Sequence, residues 1–200
     1  VRGALDAATT INGLEKLFLV GDERRIQIEL DKSSKEVPDC IEIISATEVV
    51  EMGEAPASAI RKKKDSSISR AIDLVKDGKA DAIFSAGNTG AAVAAATLKL
   101  RTLEGVNRPA IATVMPTSKD PFVLLDAGAN TDSTPEMLQQ FAVMGKIYCK
   151  EILGVQSPRI GLLSIGEEEA KGNETTKKSF NLLNNLEKFS EIDRIRYTTS

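Results

Sequence analysis

The sequence of 200 residues has no histidine, no tryptophan and two cysteines. Without histidine, Ser-His-Asp and Cys-His catalysis are excluded from this chain, and so is ordinary histidine-ligated zinc. Any chemistry here must draw on Lys, Asp, Glu, Ser, Thr, Asn and backbone dipoles. Cys40 and Cys149 lie far apart without metal-like spacing and read as free thiols of a reducing cytosol. Aromatic residues make up 4% of the chain, so its core must be built from Ile, Leu, Val and Ala. The chain also lacks a basic surplus. Lys and Arg total 26 against 29 Asp and Glu, a net charge of −3 that argues against a nucleic-acid footprint. No apolar run reaches the roughly 18 residues of a spanning helix. No signal peptide is visible, and the opening at Val1 without methionine leads us to expect a leader or a whole element outside the sequence.

What is present begins with Ala82-Ile83-Phe84-Ser85-Ala86-Gly87-Asn88-Thr89-Gly90, followed by the alanine-rich Ala91 to Ala96. The order predicts strand, tight loop, helix, with unpaired N–H groups of a helix N-terminus aimed at one point. Reinforced by the helix dipole, such donors suit an anion and phosphate in particular. Gly87 and Gly90 permit close backbone approach, and Ser85, Asn88 and Thr89 add side-chain donors. A plain helix cap uses the same chemistry, so both readings stand on these residues alone.

Short apolar runs recur along the chain at 17–20, 41–44, 82–85, 110–115, 122–125 and 159–164, with a weaker one at 195–198. They lack sustained polar alternation, as expected of parallel strands buried on both faces. Helices are predicted over Ser67 to Lys76, from Ala91 onward, over Pro135 to Leu153 and over Ala170 to Phe189. The runs 110–115 and 122–125 leave no room for a helix between them and predict an antiparallel hairpin. The whole reads as a single α/β domain over 1–200, a three-layer α/β/α sandwich around a mainly parallel sheet.

In such sheets ligands bind at the carboxyl ends of the strands. Three polar strand-end loops are candidates: 85–90, then 126–132 with Asp126 and Asn130, then 166–174 with Lys171, Asn173 and Glu174. Nucleotide fingerprints fail, because there is no G-x-G-x-x-G, and Glu167 stands where a P-loop after Gly161 needs lysine. Asp126, Asp132, Glu167, Glu168, Glu169 and Glu174 suggest a magnesium site; for Glu167 to Glu169 a solvated acidic helix start is the stronger reading, and no metal or cofactor is expected. Arg61-Lys62-Lys63-Lys64 suits phosphates or an acidic partner, and equally a solvated helix face. The N-cap signal Asp65-Ser66-Ser67 beside it makes Lys64 and Ser66 further site candidates. Lys171 stands out as an ammonium able to neutralise phosphate or stabilise an oxyanion, against the plain alternative of a surface lysine.

The segments 85–91, Asn107-Arg108-Pro109-Ala110, 125–130, Gln140-Phe141-Ala142-Val143-Met144-Gly145, 161–167, Lys171-Gly172-Asn173-Glu174 and 59–67 occur in the order seen in the bacterial phosphate acyltransferase (PlsX) family. The chain resembles that family over nearly its whole length. The resemblance implies a Rossmann-like fold related to phosphotransacetylases and to isocitrate-type dehydrogenases. It also implies transfer of a long-chain acyl group from acyl carrier protein to inorganic phosphate, giving acyl phosphate for phospholipid synthesis. By the same resemblance the enzyme is a cytoplasmic homodimer, peripheral to the inner face of the cell membrane. The family's first strand and C-terminal part are then expected outside this sequence, so the chain is expected to be a fragment. Ser85, Gly87, Asn88, Thr89 and Gly90 are expected to cradle phosphate. Lys171 is expected as electrostatic catalyst with Asn173 as neighbouring donor, Lys171 working with an asparagine of the family's C-terminal loop. Asp126 and Asn130 are assigned to loop ordering or phosphate contact. Two other readings compete: a phosphotransacetylase-like enzyme using coenzyme A thioesters, and a non-catalytic scaffold binding acyl carrier protein.

Overall fold

The computed structural model describes residues 1–33, 36–130, 132–164, 172–188 and 195–198. The chain divides into two compact units, Val1–Arg101 and Thr102–Ser200.

The first unit starts with α1 (Arg2–Thr10), then β1 (Leu17–Gly21), α2 (Glu23–Asp31) and β2 (Ile41–Ser45). β1 and β2 pair in parallel from Leu17↔Ile41 to Gly21↔Ser45, with α2 as the crossover that parallel pairing requires. Asp22 ends the strand and starts the helix, its carboxylate accepting from the Arg25 N–H at 2.9 Å. Three helices follow: α3 (Pro56–Lys62), α4 (Ser67–Lys76) and α5 (Thr89–Lys99). Their shared core holds Val50, Ala59, Ile60, Ile68, Ile72, Ala91 and Ala95. Ile68 and Ile72, and Ala91 and Ala95, are spaced i, i+4 and so project from one face of their helices. The small alanines let α5 lie close to its neighbours, which fits a core without aromatic residues.

The second unit opens with β3 (Ala112–Met115) and β4 (Phe122–Leu125), paired antiparallel from Ala112↔Leu125 to Met115↔Phe122, the hairpin expected from the sequence. Helix α6 (Pro135–Glu151) begins at Thr134, whose hydroxyl accepts from the Met137 N–H at 3.3 Å, with proline at the first helical position. Gly145 lets α6 cross β4 closely, since a Cβ there would lie 2.7 Å from the Leu125 side chain. β5 (Ile160–Leu163) and β6 (Ile195–Thr198) pair in parallel, and α7 (Glu174–Lys188) lies between them in sequence. Leu162 and Leu183 centre the packing, with Leu138, Ala142, Ile160, Phe180 and Leu186 against them.

The α/β class read from the sequence holds, with parallel pairs β1-β2 and β5-β6 and one antiparallel hairpin. One expected strand does not form. Residues 82–86 have no regular structure, and Phe84 is 95% exposed. A strand is defined by its ladder, and no described strand pairs with this run. The predicted start of the last helix at Ala170 lies outside the described residues; its described part begins at Glu174.

Candidate functional site

The loop before α5 is built around one side chain. Asn88 is 6% exposed, and its Oδ1 accepts from the Ala91 N–H at 2.9 Å as the N-cap of the helix. Its Nδ2 points the other way and donates to the carbonyls of Glu51, Met52 and Glu54 at 3.1, 3.2 and 3.3 Å. The amide therefore clamps the turn at 51–54 to the start of α5, and little of it is left for a ligand.

Backbone donors remain. The Asn88 carbonyl takes the Ala92 N–H at 3.1 Å, and no hydrogen bond among the described residues engages the N–H of Thr89 or Gly90. These two groups sit at the positive end of an 11-residue helix, where an anion is favoured. Ser85 and Thr89 are exposed beside them, and the Ser85 hydroxyl accepts the Gly87 N–H at 3.3 Å. The two glycines differ in what they allow. A Cβ on Gly90 would lie 2.6 Å from Pro56 Cγ, so glycine lets α5 start against the start of α3. A Cβ on Gly87 would meet only ordinary contacts, 3.6 Å from Ser85 Oγ and 3.9 Å from Ile68 Cδ1.

The other unit-one candidates fall on either side of the surface. Ser66 caps α4 without a side-chain hydrogen bond; it is fully buried, and its hydroxyl has no partner, as is also true of Ser69. Lys64 is exposed just past α3. Between them Asp65 accepts from the Thr47 hydroxyl at 2.6 Å, the Thr47 N–H at 2.9 Å and Arg70 Nε at 2.5 Å. Those bonds, the Thr47 hydroxyl foremost, hold its carboxyl down at about 2.

In the second unit Asp126 organises its loop. Oδ1 accepts from the N–H groups of Ile111 and Ala129 at 3.0 and 3.1 Å, and Oδ2 accepts from the N–H and side-chain amide of Asn130 at 2.8 and 2.9 Å. Asn130 also donates to the Pro109 carbonyl at 3.0 Å. Burial works to raise the Asp126 carboxyl, yet the hydrogen bonds from Ile111, Asn130 and Ala129 outweigh it and hold the group below its ordinary value. Both carboxylate oxygens are thus engaged, Oδ1 tying the hairpin end to Ile111 and Oδ2 holding Asn130, whose amide reaches Pro109. Asn173 does for α7 what Asn88 does for α5, its Oδ1 accepting from the Thr176 N–H at 2.8 Å. Glu174 follows in the first turn, a carboxylate that the helix dipole favours. Lys171, with the acidic run 167–169, lies outside the described residues. Among the described residues, no group of three or more Cys, Asp or Glu side chains converges in a way that could hold a metal ion.

Sequence reasoning missed one feature. An open cavity of about 560 Å³ lies at the carboxyl ends of β1 and β2, lined by Asp22, Glu23, Arg24, Gln27 and residues 45–47. The strand-end Gly21-Asp22 was the available signal, and the position is where open α/β sheets take ligands.

Comparison with known proteins places these features in a context. The profile of a family described as "Fatty acid synthesis protein" matches residues 1–193. A phosphate acyltransferase of Halothermothrix orenii is 50% identical over 183 residues, covering 92% of this chain and 54% of that protein. One from Desulforamulus reducens is 52% identical with the same coverage, and one from Pelotomaculum thermopropionicum is 51% identical, covering 92% of this chain and 52% of that protein. The chain therefore spans about half the length of the curated relatives it matches. Among solved structures, the EutD phosphotransacetylase from Staphylococcus aureus shares the fold, with a TM-score of 0.53 at 14% identity over 100% of this chain and 72% of that one.

Proposed function

We propose, starting from the fact that the chain belongs to the fatty acid synthesis protein family, that the protein is a phosphate acyltransferase moving a long-chain acyl group from acyl carrier protein to inorganic phosphate. The observation that carries this reading within the fold is the pair of unengaged N–H groups of Thr89 and Gly90 at the start of α5. They give phosphate a seat made of backbone, which titrates with nothing and needs no histidine.

In this reading a phosphate oxygen attacks the thioester carbonyl, a tetrahedral oxyanion forms, and its collapse expels the carrier thiolate and leaves acyl phosphate. Phosphate is already a nucleophile, so no covalent enzyme intermediate is required. The protein's task is to hold phosphate in line and to stabilise the oxyanion. Thr89 and Gly90 hold the phosphate, with the Ser85 and Thr89 hydroxyls beside them. Asn88 serves as a positioning residue, since its amide is engaged in the helix cap and the 51–54 carbonyls. Lys171 supplies the charge for the oxyanion and Asn173 orders the start of α7 beside it in sequence. Asp126 and Asn130 order the hairpin end. The same reading includes a homodimer peripheral to the inner face of the cytoplasmic membrane. No helix among the described residues is long and apolar enough to cross a membrane.

The test is an assay of the full-length protein with a long-chain acyl carrier protein thioester, with and without phosphate. Phosphate-dependent appearance of acyl phosphate is expected. Thiol release that is indifferent to phosphate, or binding of the carrier without turnover, overturns the reading in favour of a hydrolase or a scaffold. Faster turnover of a coenzyme A thioester than of the carrier-bound one would favour a phosphotransacetylase-like enzyme.

A further inference from the structure

We infer that the exposed cations Arg61, Lys62 and Lys64, at the end of α3, form the docking surface for an acidic protein; resting on the proposed function, that partner is the carrier bearing the acyl thioester. The basic run is not uniform. Lys63 is turned inward, donating to Glu54 Oε1 at 2.5 Å and to the Val49 carbonyl at 2.7 Å. Arg70 and Lys99 nearby in the unit are likewise paired, with Asp65 and Asp73. Arg61, Lys62 and Lys64 are exposed, and none forms an ion pair among the described residues.

Their scaffold is stitched in place. Lys63 ties the end of α3 to residues 49 and 54, and Asp65 ties the next residues to Thr47 and Arg70. The segment 49–54 that Lys63 bonds at both ends carries Val49, 46% exposed, and Met52, 71% exposed in the turn that Asn88 clamps. Exposed cations on such a base, close in sequence to exposed apolar side chains, suit a carboxylate-bearing protein face. The reach also fits. α3 has seven residues, so at 1.5 Å per residue its basic end lies roughly 10 Å from its start. That start, Pro56, abuts Gly90 of the phosphate seat. A carrier on the run would present its cargo close to that seat.

An anionic membrane could draw on the same charges, but α3 turns its apolar Ala59 and Ile60 into the core, so the helix itself is not an amphipathic one with an apolar face for a bilayer.

The experiment uses the full-length protein carrying Arg61→Glu with Lys62→Glu, and separately Arg61→Gln with Lys62→Gln. The reversal should raise KM for the carrier-borne thioester about tenfold, leaving kcat and KM for phosphate unchanged, with a smaller rise for the neutral pair. Wild-type KM for the carrier should climb with salt, and the slope should flatten in both variants. Should the reversal fail to fold, the neutral pair carries the same comparison. An unchanged KM for the carrier overturns the proposal, as does an equal rise in KM for phosphate. Loss of binding to phosphatidylglycerol vesicles with an unchanged carrier KM assigns the run to a membrane instead. If the wild type makes no acyl phosphate, the functional reading falls by itself; calorimetric binding of the carrier to wild type and reversal variant still decides the docking surface.

Discussion

Two side chains in the first unit hold more structure than their size suggests. Asn88 satisfies the Ala91 N–H and three carbonyls of the 51–54 turn while nearly buried. Asn88→Ala leaves those groups without partners, and we expect a loss of about 1–3 kcal/mol in unfolding free energy by denaturant titration. Asp65 makes a pH-dependent contribution of definite sign. Its folded value of about 2 lies below the ordinary 3.8, because Thr47 and Arg70 bond the charged form. The contribution is therefore complete well above pH 3.8 and is lost as pH falls through about 2. Melting wild type and Asp65→Asn from pH 6 down to about pH 2 should show a gap that closes on acidification; a constant gap would remove the carboxylate from the account.

At the scale of elements, what the sequence made legible was local. Ser67–Lys76 forms over the predicted residues because its i, i+4 apolar spacing and its Asp77-Gly78 stop are local properties of neighbouring residues. The 112–125 hairpin was legible from lack of room for a crossover. Helix α2 was missed because its exposed face is mostly charged, and its clearest signal was the cap at Asp22. The run 82–85 was misread for the opposite reason: its composition suits a strand, but strand formation depends on a partner that composition does not contain. Likewise the polar residues of the loop were legible, whereas the inward direction of the Asn88 amide was not, since its acceptors lie over thirty residues away. The first turn of α5 permits a sharp test of the phosphate seat. Thr89 is the first helical residue, where proline is tolerated, and Asn88 before it is extended, with ψ 106°, outside the α region that a following proline disfavours. Thr89→Pro removes one seat N–H while sparing the helix. We expect a raised KM for phosphate with near-normal stability, and a smaller effect from Thr89→Ala, which keeps the N–H. Equal effects of the two would credit the hydroxyl.

Over the whole molecule, the residues proposed for the reaction lie far apart in sequence, Thr89 and Gly90 near the middle of the chain and Lys171 towards its end. No local pattern groups residues so far apart in sequence; the order of motifs does, which is why the family was legible where the site geometry was not. In the full-length protein Lys171→Ala should cost about 2–4 kcal/mol of transition-state stabilisation, read as a fall in kcat with phosphate KM little changed. Normal acyl phosphate formation by that variant would remove the lysine from the mechanism. The bare amides of Thr89 and Gly90 have a consequence of their own. Ala91 and Ala92 bond their N–H groups to Asn88, so the first turn of α5 holds two unprotected amide protons followed by two protected ones. Hydrogen exchange across these four residues should step from fast to slow in the free protein, and phosphate in the seat should erase the step. The molecule thus carries its own occupancy gauge, readable without any turnover.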